Sequence, residues 1–236
     1  MLKRLLLSAL LLVVPACVSE PAPAQVAPTG PAKVMIIGDS IALGLGNMGA
    51  TTDCPVTAEY SSLRGSFGVR VADALGVDYV MFAWPGVGLV RNYGDDQTNT
   101  LSIRMGKPDQ VKKLDAAGPI QLILINIGTH DFYQNDPATT FIPAMENLLT
   151  QLAGRYPDAT IYALTGPMLG DLDKIYHDNA VSLAVDAVNA EKGTHIRYLA
   201  LDGGDRSVAF GCAWHPSVPA HEHMADMILD DLKAHE

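Results

Sequence analysis

Basic residues are scarce in this chain: 16 Lys and Arg stand against 26 Asp and Glu, a formal net charge of -10. An acidic surface repels phosphate backbones and anionic lipid headgroups, which excludes nucleic acid as a partner and disfavours direct docking on membranes. Cysteine is scarcer still, with three. In an oxidising compartment an odd count leaves one thiol without a mate unless that thiol has another task. Charged blocks and internal repeats are missing, so neither a polyelectrolyte tail nor a solenoid is present. Space is short as well: 236 residues hold one domain of about 100–200 residues with some extra chain, and no second domain of full size.

Long apolar runs are also missing, apart from Leu5 to Val14, which Ser8 interrupts. That run is too short to cross a bilayer and follows Lys3 and Arg4, the pattern of an export signal over residues 1–16. Val14-Pro15-Ala16-Cys17 resembles the bacterial lipobox, which implies lipidation of Cys17, with simple cleavage near Ala16 or an uncleaved anchor as alternatives. The chain is therefore expected to be exported, either periplasmic or held at the membrane as a lipoprotein. Residues 17–33 carry Pro21, Pro23, Pro28 and Pro31 among alanines, a composition that favours extended backbone and reads as a tether. The folded domain is expected over 34–236.

Within it, five short apolar runs recur: 34–37, 79–82, 122–125, 161–164 and 196–199. Such runs suit strands buried on both faces. Between them Phe67/Val71/Leu75, Phe141/Met145/Leu148/Leu149/Leu152, Leu183/Val188 and Met224/Ile228/Leu232 recur at helical spacing, with Gly76 and Pro157 as stops. Strand–helix alternation predicts an α/β fold, a doubly wound, mostly parallel five-stranded sheet with helices on both faces. Ligands bind such sheets at the carboxyl ends of the strands, so chemistry is sought just after each run.

Those positions hold Gly38-Asp39-Ser40-Ile41, Ala83-Trp84-Pro85-Gly86 and Gly128-Thr129-His130-Asp131, and the last helix is preceded by Gly211-Cys212-Ala213-Trp214-His215-Pro216. The four segments resemble the four blocks of the SGNH (GDSL) hydrolases. Adding Gly86-Val87-Gly88-Leu89-Val90-Arg91-Asn92-Tyr93-Gly94 and the run from Gly211 to Ser217, the chain resembles carbohydrate esterase family 2 more closely still, from Val34 to the end. A serine at a tight strand-to-helix turn offers both a nucleophile and an N–H donor, and a histidine before the last helix can move its proton. The resemblance implies Ser40 and His215 as catalytic residues, with Ser40, Gly86 and His130 forming the oxyanion hole. Asp39 is expected to accept backbone hydrogen bonds around the serine.

Two departures bear on mechanism. Most family members carry asparagine where His130 stands, and aspartate where Cys212 or Ala213 stands. The first change retains an N–H donor, and brings a pH dependence that an amide lacks. The second removes the carboxylate that orients the base, so a Ser40/His215 dyad is expected, oriented by a backbone carbonyl as in some members. Cys54 and Cys212, both near the rim and both exported, are expected to form a disulfide. Trp84 and Trp214, the only tryptophans, are candidate sugar contacts, as are Arg91, Asn92 and Tyr93, whose alternative is a supporting polar loop.

Gly44-Leu45-Gly46-Asn47-Met48-Gly49 matches a dinucleotide-binding string but starts too far from the strand and lacks the later acidic residue. His221, Glu222 and His223 diverge on a helix and read as a solvated face, so neither cofactor nor metal is expected. The expected function is removal of O-acetyl groups from carbohydrate through an acyl-enzyme, by a monomer whose partner is an acetylated oligo- or polysaccharide. Many relatives carry a β-sandwich ahead of this domain; with only a tether here, small or soluble acetylated sugars are favoured. The alternatives are a general short-chain esterase or lysophospholipase of the same superfamily, and a non-catalytic carbohydrate-binding lipoprotein.

Overall fold

The computed structural model describes residues 31–235. The export signal at 1–16, Cys17 and most of the tether lie outside the described residues. One five-stranded sheet in the order β2-β1-β3-β4-β5 organises the chain, with β1 at Lys33–Gly38, β2 at Asp78–Ala83, β3 at Ile120–Asn126, β4 at Thr160–Thr165 and β5 at Arg197–Ala200. All neighbouring pairs are parallel. The helices are α1 (Phe67–Leu75), α2 (Leu101–Met105), α3 (Pro108–Asp115), α4 (Thr129–Phe132), α5 (Ala138–Arg155), α6 (Asp171–Lys192) and α7 (Val218–Ala234).

Alternation along β1 separates two cores. Val34 and Ile36 pack with Phe67 and Val71 of α1 and Met224 and Ile228 of α7, whereas Met35 and Ile37 pack with Phe141 and Leu149 of α5 and Val181 and Val185 of α6. Each such buried side chain contributes about 1.5–3 kcal/mol relative to exposure, and a charge at Ile36 would forfeit that contribution and add the desolvation cost of an unpaired ion. Gly76, in a left-handed conformation, ends α1 as expected. On α6 the buried stripe is Ala180, Val181, Ala184, Val185 and Val188, which turns Leu183 outward at 57% exposure. Pairing Leu183 with Val188 therefore named one core residue and one solvent-facing residue.

With β1 and β3 adjacent at the middle of the sheet, the connections leave in opposite directions, and the crevice opens at their carboxyl ends. Gly38, Ala83 and Asn126 pair side by side there. Ser40, Gly86 and His130 therefore begin their loops from one line.

Candidate active site

The chain turns immediately after β1. Ile41 N–H donates to Asp39 Oδ1 at 2.8 Å, and Leu45 N–H donates to Ser40 O at 3.0 Å, closing a tight loop with Ser40 at its head. Asp39 thus binds backbone, as expected for an Asx-type turn residue. It is fully buried, and desolvation, opposed by the Ile41 N–H and reinforced by the nearby Asp131, pushes its carboxyl up to about 7.

His215 approaches from the other side on the segment before α7. Its Nε2 lies 2.9 Å from Ser40 Oγ and its Nδ1 lies 3.1 Å from the Cys212 carbonyl oxygen. A carbonyl only accepts, so Nδ1 carries the proton and Nε2 is left with its lone pair toward the serine hydroxyl. Burial lowers the His215 pKa from 6.5, keeping the ring neutral. Among the described residues the ring's hydrogen-bond partners are this hydroxyl and this carbonyl.

The Cys212 carbonyl is held from several directions. Cys212 N–H donates to Gly46 O at 2.9 Å, Ala213 N–H to Thr52 O at 2.9 Å, and a Cys54–Cys212 disulfide spans a sequence separation of 158. Ala213 and Trp214 adopt left-handed backbone with φ of 48° and 64°, a conformation that costs residues with a Cβ about 1–2 kcal/mol each and persists only where surroundings impose it. A Cβ at Gly46, whose φ is +65°, would lie 2.8 Å from Cys212 O. The glycine string that resembled a nucleotide fingerprint is thus the seat of the histidine loop.

The segments carrying Gly86 and His130 meet in one assembly. Asp131, fully buried, accepts from Leu89 N at 2.7 Å, Val90 N at 2.8 Å and Arg91 N at 2.9 Å. Burial pushes its carboxyl up to about 6 against the pull of these donors. Gly86 has a φ of +73° and accepts from Tyr93 N at 2.9 Å. His130 lines the cleft with Nε2 buried and without a hydrogen-bond partner among the described residues. Desolvation, with His215 and Arg91 nearby, lowers its pKa to about 4, so the imidazole is neutral.

Above these groups lies a cleft of about 970 Å³ whose walls include Ser40, Gly86, His130 and His215. Trp214, 60% exposed and edge-on to Phe210, forms part of the wall, as does Tyr93, edge-on to His130 at 5.7 Å. Trp84 does not line it: the ring packs on the core under the Arg104 guanidinium at 5.2 Å. Arg91 and Asn92 are also off the cleft surface. Arg91 is spent on Asp95, at 2.7 Å, and on the Asp131 and Tyr133 carbonyls, and the buried Asn92 binds Thr98 O at 2.6 Å. Both belong to the supporting loop. His221 is likewise not solvated but fully buried, with Nδ1 accepting the Phe67 N–H at 3.2 Å, because the inner face of α7 lies against the start of α1.

Other walls went unnamed by sequence. Met168, Leu169 and Asp171 follow β4, and Arg206 and Phe210 follow β5. The rule that ligands sit beyond strand ends covers both loops, but no motif marks their residues.

A doubly wound parallel sheet with a serine at the end of β1, hydrogen-bonded to a histidine before the last helix, defines a serine-hydrolase architecture of the SGNH kind. The chain belongs to the GDSL-like lipase/acylhydrolase family, whose model matches residues 36–235. It is 30% identical over 210 residues to the cellulase/esterase CelE of Acetivibrio thermocellus, covering 85% of this chain and 25% of that protein. It is 25% identical over 224 residues to an acetylxylan esterase / glucomannan deacetylase of Cellvibrio japonicus, covering 85% of this chain and 59% of the relative. A family two carbohydrate esterase from Clostridium thermocellum, solved in complex with cellohexaose, superposes with a TM-score of 0.79 at 28% identity, covering 89% of this chain and 66% of the other. The chain thus spans between a quarter and three-fifths of these two curated relatives' lengths.

Proposed function

We propose that this protein is a serine esterase that removes O-acetyl groups from carbohydrate through an acyl-enzyme. The contact that carries the reading is Ser40 Oγ to His215 Nε2 at 2.9 Å, with Nδ1 on the Cys212 carbonyl at 3.1 Å. Ser40 Oγ attacks the ester carbonyl carbon as its proton passes to Nε2. The oxyanion takes hydrogen bonds from Ser40 N–H, Gly86 N–H and His130. Collapse breaks the bond to the sugar oxygen, which leaves with the Nε2 proton. Water then attacks the acyl carbon, giving a proton to Nε2, and as the bond to Ser40 Oγ breaks that proton passes to Oγ, restoring the serine hydroxyl and releasing acetate. The base is a dyad histidine, its imidazolium stabilised by a carbonyl dipole in place of a carboxylate.

A cleft of about 970 Å³ exceeds what an acetyl group needs, and the Trp214 and Tyr93 faces suit the apolar faces of sugar rings. The relatives' names point to the same substrate class. The disulfide supports the proposal that the chain is exported. A second reading, a general short-chain esterase, draws on the apolar Met168, Leu169 and Phe210 in the same walls.

The test is acetate release from acetylated xylan and mannan oligosaccharides, beside p-nitrophenyl esters of increasing acyl length. Wild type is expected to prefer acetyl, and Ser40→Ala to lose about 10⁴-fold or more in turnover. Turnover of short p-nitrophenyl esters without acetate release from the acetylated sugars favours the general short-chain esterase, and turnover independent of Ser40 removes the reading.

A further inference from the structure

None of the steps above uses the carboxylate of Asp131, although it is among the most heavily hydrogen-bonded buried groups in the molecule. We propose that Asp131 is the positioning residue of the oxyanion hole: its carboxylate gathers the backbone of residues 88–91 and so fixes the direction of the Gly86 N–H. The inference rests on the esterase reading.

Three successive amides, Leu89, Val90 and Arg91, converge on the carboxylate at 2.7, 2.8 and 2.9 Å. This is an anion nest built from backbone, and charge-assisted bonds of this kind are roughly twice as strong as neutral ones. The wrap is close enough to demand glycine at 88, where a Cβ would fall 2.5 Å from Asp131 Oδ2 and 1.9 Å from Arg91 O. Arg91 closes the loop from outside, its guanidinium donating to the Asp131 carbonyl at 3.3 Å and to the Tyr133 carbonyl at 3.2 Å. Gly86 joins the same unit, since its carbonyl accepts the Tyr93 N–H, while Gly88 O accepts the Leu101 N–H. Asp131 directly follows His130 on α4. One short helix therefore carries one oxyanion donor itself and holds the loop carrying another, so the spacing of the two donors is set by a single residue. The sequence segment around Gly88, Arg91 and Asn92 thereby acquires a purpose distinct from touching sugar.

Asp131→Asn keeps the side-chain shape but turns an N–H toward an N–H. Its kcat on an acetyl ester is expected to fall about 10- to 100-fold with KM within about threefold, below the loss of an entire donor. Hydrogen exchange is expected to show lost protection at the amides of residues 89–91. Gly88→Ala, which pushes the loop off the carboxylate from the other side, is expected to reproduce both effects and serves if the aspartate variant does not fold. Wild-type kcat in a variant whose 89–91 amides have lost protection overturns the inference, as does unchanged protection in both variants. Absence of Ser40-dependent turnover in the wild type defeats the esterase reading and takes this inference with it.

Discussion

An imidazole in an oxyanion hole has one N–H to give and must avoid acquiring a charge that would change how it binds. Burial, helped by His215 and Arg91, lowers His130 to about 4, so the donor form persists through the whole neutral and mildly acidic range. The pH dependence that distinguishes it from asparagine is thereby moved below the working window. His130→Asn is expected to keep most of kcat and the same acid limb, while His130→Ala costs about 10²–10³-fold; equal losses in both variants would refute the donor role. In the proposed mechanism the acid limb has two sources: protonation of His215, lowered from 6.5 by burial, and protonation of Asp131, raised to about 6. Protonating Nε2 removes the base, so kcat/KM should fall with decreasing pH at a midpoint below 6.5, and a midpoint above that value would show that another group governs the limb. The fates of the two tryptophans mark how far residues can be read from sequence. Both adjoin motif residues, yet Trp84 is drawn under Arg104 of α2 and Trp214 is turned outward by a left-handed backbone. Neither cause is visible in a local window.

At the scale of elements, the strands are legible because doubly covered strands are apolar almost throughout, and the structure places them within a residue or two of the runs that announce them. The short helices α2, α3 and α4 escape, being five, eight and four residues long with no repeated apolar face. The nucleophile turn and the histidine loop are legible as motifs, but the walls after β4 and β5 are not, since shape-forming loops need no fixed residue types. Conversely, the string from Gly44 to Gly49 is visible and misleading: its glycines admit the Cys212 loop. Gly46→Ala should place a methyl against the Cys212 carbonyl at 2.8 Å, cost about 1–3 kcal/mol of stability and lower kcat more than tenfold, because the displaced acceptor no longer fixes His215. Denaturant titration alongside kinetics decides it, and a stable, fully active variant would sink the assignment.

For the whole molecule, two sets of buried groups oppose each other as pH falls. His130, His177 and His221 are depressed to about 4, 4 and 3, so they stay neutral in the folded chain while the unfolded chain protonates them below 6.5, which costs stability. Asp39 and Asp131 are raised from 3.8 to about 7 and about 6, so the folded chain takes up protons first and gains stability as pH drops toward 4. Near pH 5 the depressed histidines, His215 among them, outnumber the two raised carboxyls, so stability falls as pH drops. Asp39→Asn removes one compensating group and should steepen that fall between pH 6 and 4.5 in urea melts; an unchanged slope would refute the balance. Cys212, finally, gives its sulfur to a covalent bond and its carbonyl oxygen to the base. Catalytic competence is therefore expected to follow formation of that bond. On refolding from the reduced state, far-ultraviolet signal should return first and turnover only as thiols disappear, over seconds to hours. A chain kept reduced would, on this expectation, be assembled everywhere except where His215 is aimed.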